Sequence, residues 1–261
     1  MDSSSFAPLV LTTSSSIHTV NDARLAAARE RLAVALDFPS AGLALAFVDR
    51  LEGSCRWLKV GLELYLAAGN GLIETLRGRG FEIFLDLKLH DIPNTVAGAV
   101  RSAANVGASL LTIHAGGGEA MIRAAAKAAR VPGGPKLLAV TVLTSMDAAE
   151  LTGIGVSAAP AEQVLRLGRL AQAAGGADMG LVCSAEEVRV LRAELGPEIR
   201  LVTPGIRPAG AAVGDQRRVA TPASAIRDGA SMLVVGRPIT QAADPAGAAR
   251  GILAEITGAA V

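Results

Sequence analysis

EIFLDLKLHDIPNT, residues 82–95, changes character once within fourteen positions. As far as Leu89 it reads as a strand, in which side chains two apart share a face, so Leu85, Leu87 and Leu89 point one way and Asp86 and Lys88 the other. At Asp91-Ile92-Pro93 the pattern stops, and Pro93 has the fixed φ suited to the first turn of a helix. Strand, short loop, helix is therefore the local expectation, with an apolar face toward helices and a charged pair toward the opposite side.

The same unit recurs on both sides of this stretch. LAVALDF begins at 32, WLKVGL at 57, SLLTIHA at 109, KLLAVTVL at 136, MGLVCS at 179, IRLVTPGI at 199 and SMLVVGRP at 231, which with residues 82–89 makes eight strands. They start about 20 to 43 residues apart, with helix-compatible sequence between them. Near-continuous Val, Leu and Ile is what a parallel sheet buried on both faces produces. Eight βα units in about 230 residues match a single α/β domain, a (β/α)₈ TIM barrel. The alternative is an open doubly wound sheet, but the first βα junction, LDFPSAG, lacks the GxGxxG turn of a dinucleotide fold. Gly107, Gly153 and Gly229 fall at expected helix ends, and Pro238 follows Arg237 after the last strand.

Composition narrows the class. The 261 residues are 51% hydrophobic and 19% charged, too apolar for disorder, and 25 Lys plus Arg against 24 Asp plus Glu leave a net charge of +1. Such a balance offers no field to attract nucleic acid or an anionic membrane surface. No apolar run reaches the 18 or more residues of a membrane span, and two cysteines, Cys55 and Cys183, make neither a disulfide framework nor a CxxC site. A reducing, cytoplasmic setting is the expectation. Serine triplets at 3–5 and 14–16 set residues 1–30 apart as an extension, mobile or docking, ahead of a barrel domain over 31–261. Within it NDARLAAARERL suits a short helix capped by Asn21 or Asp22.

The charged residues concentrate at strand ends, where barrel enzymes keep their chemistry. Asp37 closes strand one, Lys59 lies in strand two, Asp86 and Lys88 in strand three, and Asp91 just beyond it. Buried charge is costly, and opposite charges alternating along one rim offset that cost for each other. A fixed ammonium can donate a proton, and a buried carboxylate beside it repels an anionic substrate group until that group leaves. The chemistry indicated is proton transfer to a developing carbanion, although a structural ion pair is the plainer reading of Asp86 and Lys88 alone.

A second constellation lies near the C-terminus in LVTPGIRP (201–208), GDQRR (214–218) and VVGRP (235–239). Glycines at strand ends expose backbone N–H groups to an anion, which places a phosphate between the seventh and eighth loops with Gly236 and Arg237. Gln216 and Arg207 can reach the same anion, while Arg217 and Arg218 serve equally well as solvated neighbours. Thr144 and Ser145 end strand five, as readers of a polar ring edge or as helix caps, and His114 ends strand four, facing the site or sitting on its rim. His90 and His18 read as structural or exposed, and Cys183 as packing.

Taken together, LDLKLHDIPNT with its DxKxxD core, KVGLELYLAAG, LTIHAGGG, AVTVLTSM, LVTPGIRP with GDQRR, and VVGRPIT resemble the orotidine 5′-phosphate decarboxylase family of the common bacterial type, from about residue 31 to 255. The resemblance implies a carboxy-lyase that converts orotidine 5′-monophosphate to uridine 5′-monophosphate without metal or organic cofactor. It implies that Lys88 protonates C6, that Asp86 lies by the departing carboxylate, and that Lys59 completes the charge array. Asp37 and Lys59 are then expected at the ribose hydroxyls, Thr144 and Ser145 at the pyrimidine, and Arg207, Gln216, Gly236 and Arg237 around the phosphate, with 208–218 as a mobile loop. Asp91 and Thr95 are expected to complete the site of a neighbouring subunit, which makes a homodimer the partner.

Three rivals have distinct signatures. A magnesium-dependent sugar-phosphate lyase of the same superfamily carries a glutamate where Lys59 stands, and a lysine there repels a divalent cation. A Schiff-base aldolase needs a neutral amine at Lys59 or Lys88, whereas flanking carboxylates favour the ammonium. A non-catalytic phosphate-binding barrel has no need of the charged set that is present.

Overall fold

The computed structural model describes residues 22–208 and 220–259. Eight strands, all parallel, close in sequence order into one barrel: β1 (Leu32–Leu36), β2 (Trp57–Gly61), β3 (Glu82–Leu89), β4 (Leu110–His114), β5 (Lys136–Val140), β6 (Gly180–Val182), β7 (Leu201–Thr203) and β8 (Met232–Val235). Each coincides with one of the eight apolar runs. Closure between β8 and β1 pairs Leu32 with Leu233 and Val34 with Val235, so no strand edge is left open.

Helices cover the outside: α1 (22–29), α2 (Ala41–Asp49), α3 (Leu62–Gly78), α4 (Pro93–Asn105), α5 (Gly118–Ala129), α6 (Ala148–Gly153), α7 (Pro160–Gly175), α8 (Val188–Leu195), α9 (Pro222–Arg227), α10 (Arg237–Thr240) and α11 (Pro245–Ala259). Pro93 opens α4 as expected, and Gly107 (φ 77°) and Gly229 (φ 107°) follow α4 and α9 in the left-handed region. Gly153 ends α6 without that conformation, which belongs to Gly155 two residues on. Helix α6, with its capping box of Asp147 and Glu150, is an extra element that accounts for the long interval between β5 and β6.

Two apolar layers divide the strand residues by parity. One set, including Leu32, Val34, Leu58, Val60, Ile83, Leu85, Leu111 and Ile113, packs outward against the helices. The other, Ala33, Ala35, Trp57, Phe84, Leu110, Leu138, Val202, Met232 and Val234, fills the barrel interior. Moving two residues on from the interior set in β1 to β4 leads from Ala35 to Asp37, Trp57 to Lys59, Phe84 to Asp86 and Leu110 to Thr112. The interior is thus apolar below and polar at the carboxyl ends of these strands.

Residues 1–21, 209–219 and 260–261, and with them His18, Asn21, Gln216, Arg217 and Arg218, lie outside the described residues. Asp22 is itself helical, so it is not the cap of α1. The end of α1 packs on the barrel: Ala28 is buried in the outer core, and the Glu30 carboxylate accepts from Trp57 Nε1 at 3.1 Å and from Arg56.

Candidate active site

Strand β3 positions the centre of the site, but not as an uninterrupted strand. Its pairing with β4 is regular to Leu85↔Leu111 and resumes only at Leu89↔Ile113, so three residues on β3 face one, Thr112, on β4. Lys88 has φ 49°, in the left-handed region that side chains rarely adopt. The bulge brings the Lys88 ammonium back over Asp86, where Nζ donates to both carboxylate oxygens at 2.9 Å.

From this pair a line of alternating charge crosses to β1. Lys59 Nζ lies 3.6 Å from Asp86 and donates to Asp37 Oδ1 at 3.2 Å. The Lys59 and Asp86 side chains are only 11% and 13% exposed, whereas Asp37 is 63% exposed, so the inner two are desolvated and the outer pair is screened. Burial alone raises the Asp86 carboxyl, but Lys59, Lys88 and the hydrogen bonds from Lys88 and Thr112 together outweigh it and hold the group below its ordinary value. Asp86 is accordingly an anion at neutral pH, fixed between two ammonium groups.

These residues line one side of a cleft of about 260 Å³ at the carboxyl ends of the strands. The opposite wall is Val140, Val142, Leu143, Val182 and Cys183, and the far end holds Gly205, Arg207, Gly236 and Arg237. Arg207 is buried, with Nη1 donating to the Ile206 carbonyl at 2.8 Å. Burial, then the nearby Arg237, lowers the Arg207 guanidinium, the expected result of two cations facing one volume. Just beyond, Arg207 N–H donates to the Ala220 carbonyl at 2.9 Å, joining the two sides of residues 209–219. An anion with two or more acceptor oxygens suits this end, and an apolar, planar group suits the middle.

Several expected residues stand elsewhere. Asp91 does not join the charged line of its own chain: it is exposed, and its Oδ1 accepts from Ile92 N–H at 2.6 Å because the chain is already turning into α4. Thr95 is likewise exposed on the first turn of that helix. β5 ends at Val140, so Thr144 and Ser145 lie in the following loop rather than in the strand; Thr144 lines the cleft, and Ser145 is exposed and does not. His114 is half-buried at the end of β4, its ring 5.4 Å from that of His90, outside the cleft lining.

Sequence reasoning missed two members. Thr112 is fully buried, and its hydroxyl contacts both Asp86 and the Lys88 backbone. Its signal was parity, since it falls in the interior register between Leu110 and His114. Gly61 is the other: a Cβ there would lie 3.0 Å from Lys59 Nζ and 3.7 Å from Asp37 Oδ1, so any side chain presses on the ammonium and shifts it by a few tenths of an ångström. Cys183 packs as expected, its thiol pushed far up by burial, and it also forms part of the cleft wall. Among the described residues no group of three or more His, Cys, Asp or Glu is arranged to hold a metal ion, and no helix is long and apolar enough to cross a membrane.

The chain is similar to proteins of one family. Residues 30–252 match the family described as Orotidine 5′-phosphate decarboxylase / HUMPS family. The chain is 56% identical over 230 residues to an orotidine 5′-phosphate decarboxylase of Halorhodospira halophila, covering 88% of this chain and 97% of that one. With the Pseudomonas aeruginosa (strain LESB58) protein of the same name it shares 51% over 234 residues, 89% of this chain and all of the other. The crystal structure of orotidine 5′-phosphate decarboxylase from Lactobacillus acidophilus superposes with a TM-score of 0.77 at 39% identity, over 87% of this chain and 99% of that one. With its eightfold barrel and its line of Asp37, Lys59, Asp86 and Lys88, the chain belongs to the orotidine 5′-phosphate decarboxylase / HUMPS family.

Proposed function

We propose that the chain decarboxylates orotidine 5′-monophosphate to uridine 5′-monophosphate and carbon dioxide, the last step of de novo pyrimidine synthesis. The observation that carries this reading is the alternating line of Asp37, Lys59, Asp86 and Lys88, placed along one side of a cleft whose end carries Arg207 and Arg237. The substrate is an anion at both ends, a carboxylate to be lost and a phosphate to be kept. Arg207, Gly236 and Arg237 hold the phosphate, Thr144 the pyrimidine edge, and Asp37 with Lys59 the ribose hydroxyls. The C6 carboxylate then lies beside Asp86, whose fixed negative charge repels it. As the bond to carbon breaks, carbon dioxide departs and the electron pair remains on C6. The Lys88 ammonium stabilises that pair and supplies a proton to it, and the resulting neutral amine regains its proton from water. No electron acceptor is consumed in this sequence. Binding energy from the remote phosphate aligns the reacting end.

The working unit in this reading is a homodimer. Support comes from Asp91 and Thr95, which are exposed and do not line their own cleft, and from their neighbour Ile92, a 66% exposed apolar side chain. On the preceding β2–α3 unit Leu62 and Leu66 are 51% and 82% exposed, so both units carry the exposed apolar side chains expected of a protein contact. Residues 1–30 are an extension to the catalytic domain, and the cytoplasm is its compartment.

The decisive assay follows the ultraviolet absorbance of orotidine 5′-monophosphate in EDTA, with orotidine as control. Rapid loss for the phosphorylated compound alone is expected; no loss, with or without magnesium, would leave a binding module. Mixing Lys88→Ala with Asp91→Ala protein tests the shared site, since one site of each mixed dimer then has every group intact. Recovery of activity is expected, and none after demonstrated subunit exchange would assign Asp91 to its own chain.

A further inference from the structure

We infer that Thr112 is a positioning residue, whose hydroxyl holds Lys88 in its left-handed conformation and ties that conformation to the carboxylate of Asp86. The inference rests on the decarboxylase reading for its kinetic consequence, but not for its geometry. Between Leu85↔Leu111 and Leu89↔Ile113 the β3–β4 ladder is interrupted, and Thr112 is the β4 residue that faces the gap. On its other side Thr112 is paired normally with Leu138 of β5, so its backbone is fixed while β3 departs from it. The Lys88 N–H has lost a regular backbone acceptor at the bulge, and a buried amide without one is costly. Thr112 Oγ1 takes its place, accepting from Lys88 N–H at 2.8 Å.

The same oxygen carries one hydrogen, and that hydrogen is directed to Asp86 Oδ1 at 2.9 Å. Asp86 in turn accepts from Lys88 Nζ through both oxygens. The result is a closed circuit: Lys88 backbone to Thr112 hydroxyl, hydroxyl to Asp86 carboxylate, carboxylate to Lys88 ammonium. A hydroxyl placed this way both donates and accepts, so its orientation is determined rather than averaged. Thr112 is fully buried, and no water need be invoked to complete the circuit.

An ordinary strand would also turn residues 86 and 88 to one face, but two positions apart along the axis, roughly 6.6 Å. The bulge folds the second of these back toward the first, at the cost of an unfavourable φ that its surroundings must sustain. Asp86 attracts the ammonium end of Lys88 and Thr112 fixes the backbone end. Without the hydroxyl the ammonium keeps its partner while the main chain below it is free to relax.

Thr112→Val, nearly isosteric, removes both hydrogen bonds, and Thr112→Ser keeps both while deleting the methyl. With orotidine 5′-monophosphate, Val is expected to lower kcat by about 100-fold, the scale of an ångström-level misplacement, with KM and uridine 5′-monophosphate affinity within about twofold. Ser is expected to restore kcat to within a few-fold of the natural protein. Equal losses in Val and Ser, or an unchanged kcat in Val, would overturn the assignment. Thr112→Ala, which deletes the hydroxyl without a shape constraint, replaces Val if Val does not fold. A second readout needs no turnover: the Asp86 carboxyl, followed by carbon-13 NMR and assigned with Asp86→Asn, is expected to titrate at higher pH in Val and at the natural position in Ser. An unmoved titration in Val overturns the inference even in an active enzyme, whereas a shifted one in a protein inert toward the nucleotide supports it while the decarboxylase reading falls.

Discussion

The two halves of the barrel contribute to the cleft in different ways. From β1 to β4 the groups that matter are on strands or one residue beyond them: Asp37, Lys59, Asp86, Lys88 and Thr112. From β5 to β8 the strands shorten to three or four residues after β5, and the lining passes to loops through Thr144, Gly205, Arg207 and Gly236. Lys59 is held by ladders on both sides and Asp86 and Thr112 each by one, whereas loop residues adapt to what they bind. The difference teaches a division of labour: the half that must fix charges to within tenths of an ångström uses strands, and the half that recognises a bulky anion uses loops and arginines.

The largest effect that can test this division is at Lys88. Lys88→Ala removes the proton source and the local positive charge together, and kcat is expected to fall by about 10⁴-fold, the upper range for acid–base groups, while uridine 5′-monophosphate still binds. Steady-state kinetics with calorimetric binding measures both. Substantial residual turnover would move the chemistry off the strand half.

Arg237 probes the other half. Arg237→Ala deletes a charged contact worth about 1.5–3 kcal/mol, which raises KM by roughly 10- to 100-fold. Its kcat is expected to change less than its KM, the reverse of Lys88→Ala. A fall in kcat alone would mean that the loop half also shapes the reacting end.

How far the sequence carried the argument follows the same line. All eight strands were legible because a doubly buried strand needs a continuous apolar run, and Asp86 and Lys88 stood out because charge interrupts one. The bulge at Lys88 was not legible. Strict alternation already placed Lys88 beside Asp86, so nothing in FLDLKL signalled that the backbone turns to bring them closer. Thr112 was hidden for a related reason, since a β-branched residue inside LLTIH reads as a strand former. The Thr144 and Ser145 positions slipped because VTVL continues the apolar run past the last ladder pair at Val140. Asp91 was correctly placed beyond the strand, but sequence has no means to show which cleft it faces.

Gly61 offers a smaller and sharper test of the strand half. In Gly61→Ala the new methyl sits 3.0 Å from Lys59 Nζ, so the ammonium must shift by a few tenths of an ångström relative to Asp37 and Asp86 while the backbone, at φ −93°, is unstrained. About a tenfold loss in kcat is expected, less than for removing a reacting group. Activity equal to that of the natural protein would show that the charged line tolerates more movement than strand placement implies.

The smallest expected effect concerns acid, and it too falls on the strand half, where His90 and His114 meet. Burial, then His90 and Lys88, lowers His114, and Asp86 only partly opposes them. A histidine lowered in the folded state is protonated first in the unfolded chain. Stability is therefore complete above the ordinary histidine value of 6.5 and declines as pH falls from there toward the folded value. Asp86 behaves differently, because its lowered carboxyl contributes stability above the ordinary 3.8 and loses it only as pH falls further through the folded value. The two windows do not overlap between pH 7 and about 5, so there the slope isolates the histidine. His114→Gln is expected to flatten the dependence of urea midpoint on pH across that range and to leave the steeper loss at lower pH intact. An unchanged slope would assign the acid sensitivity elsewhere and leave the histidine pair as packing at the rim.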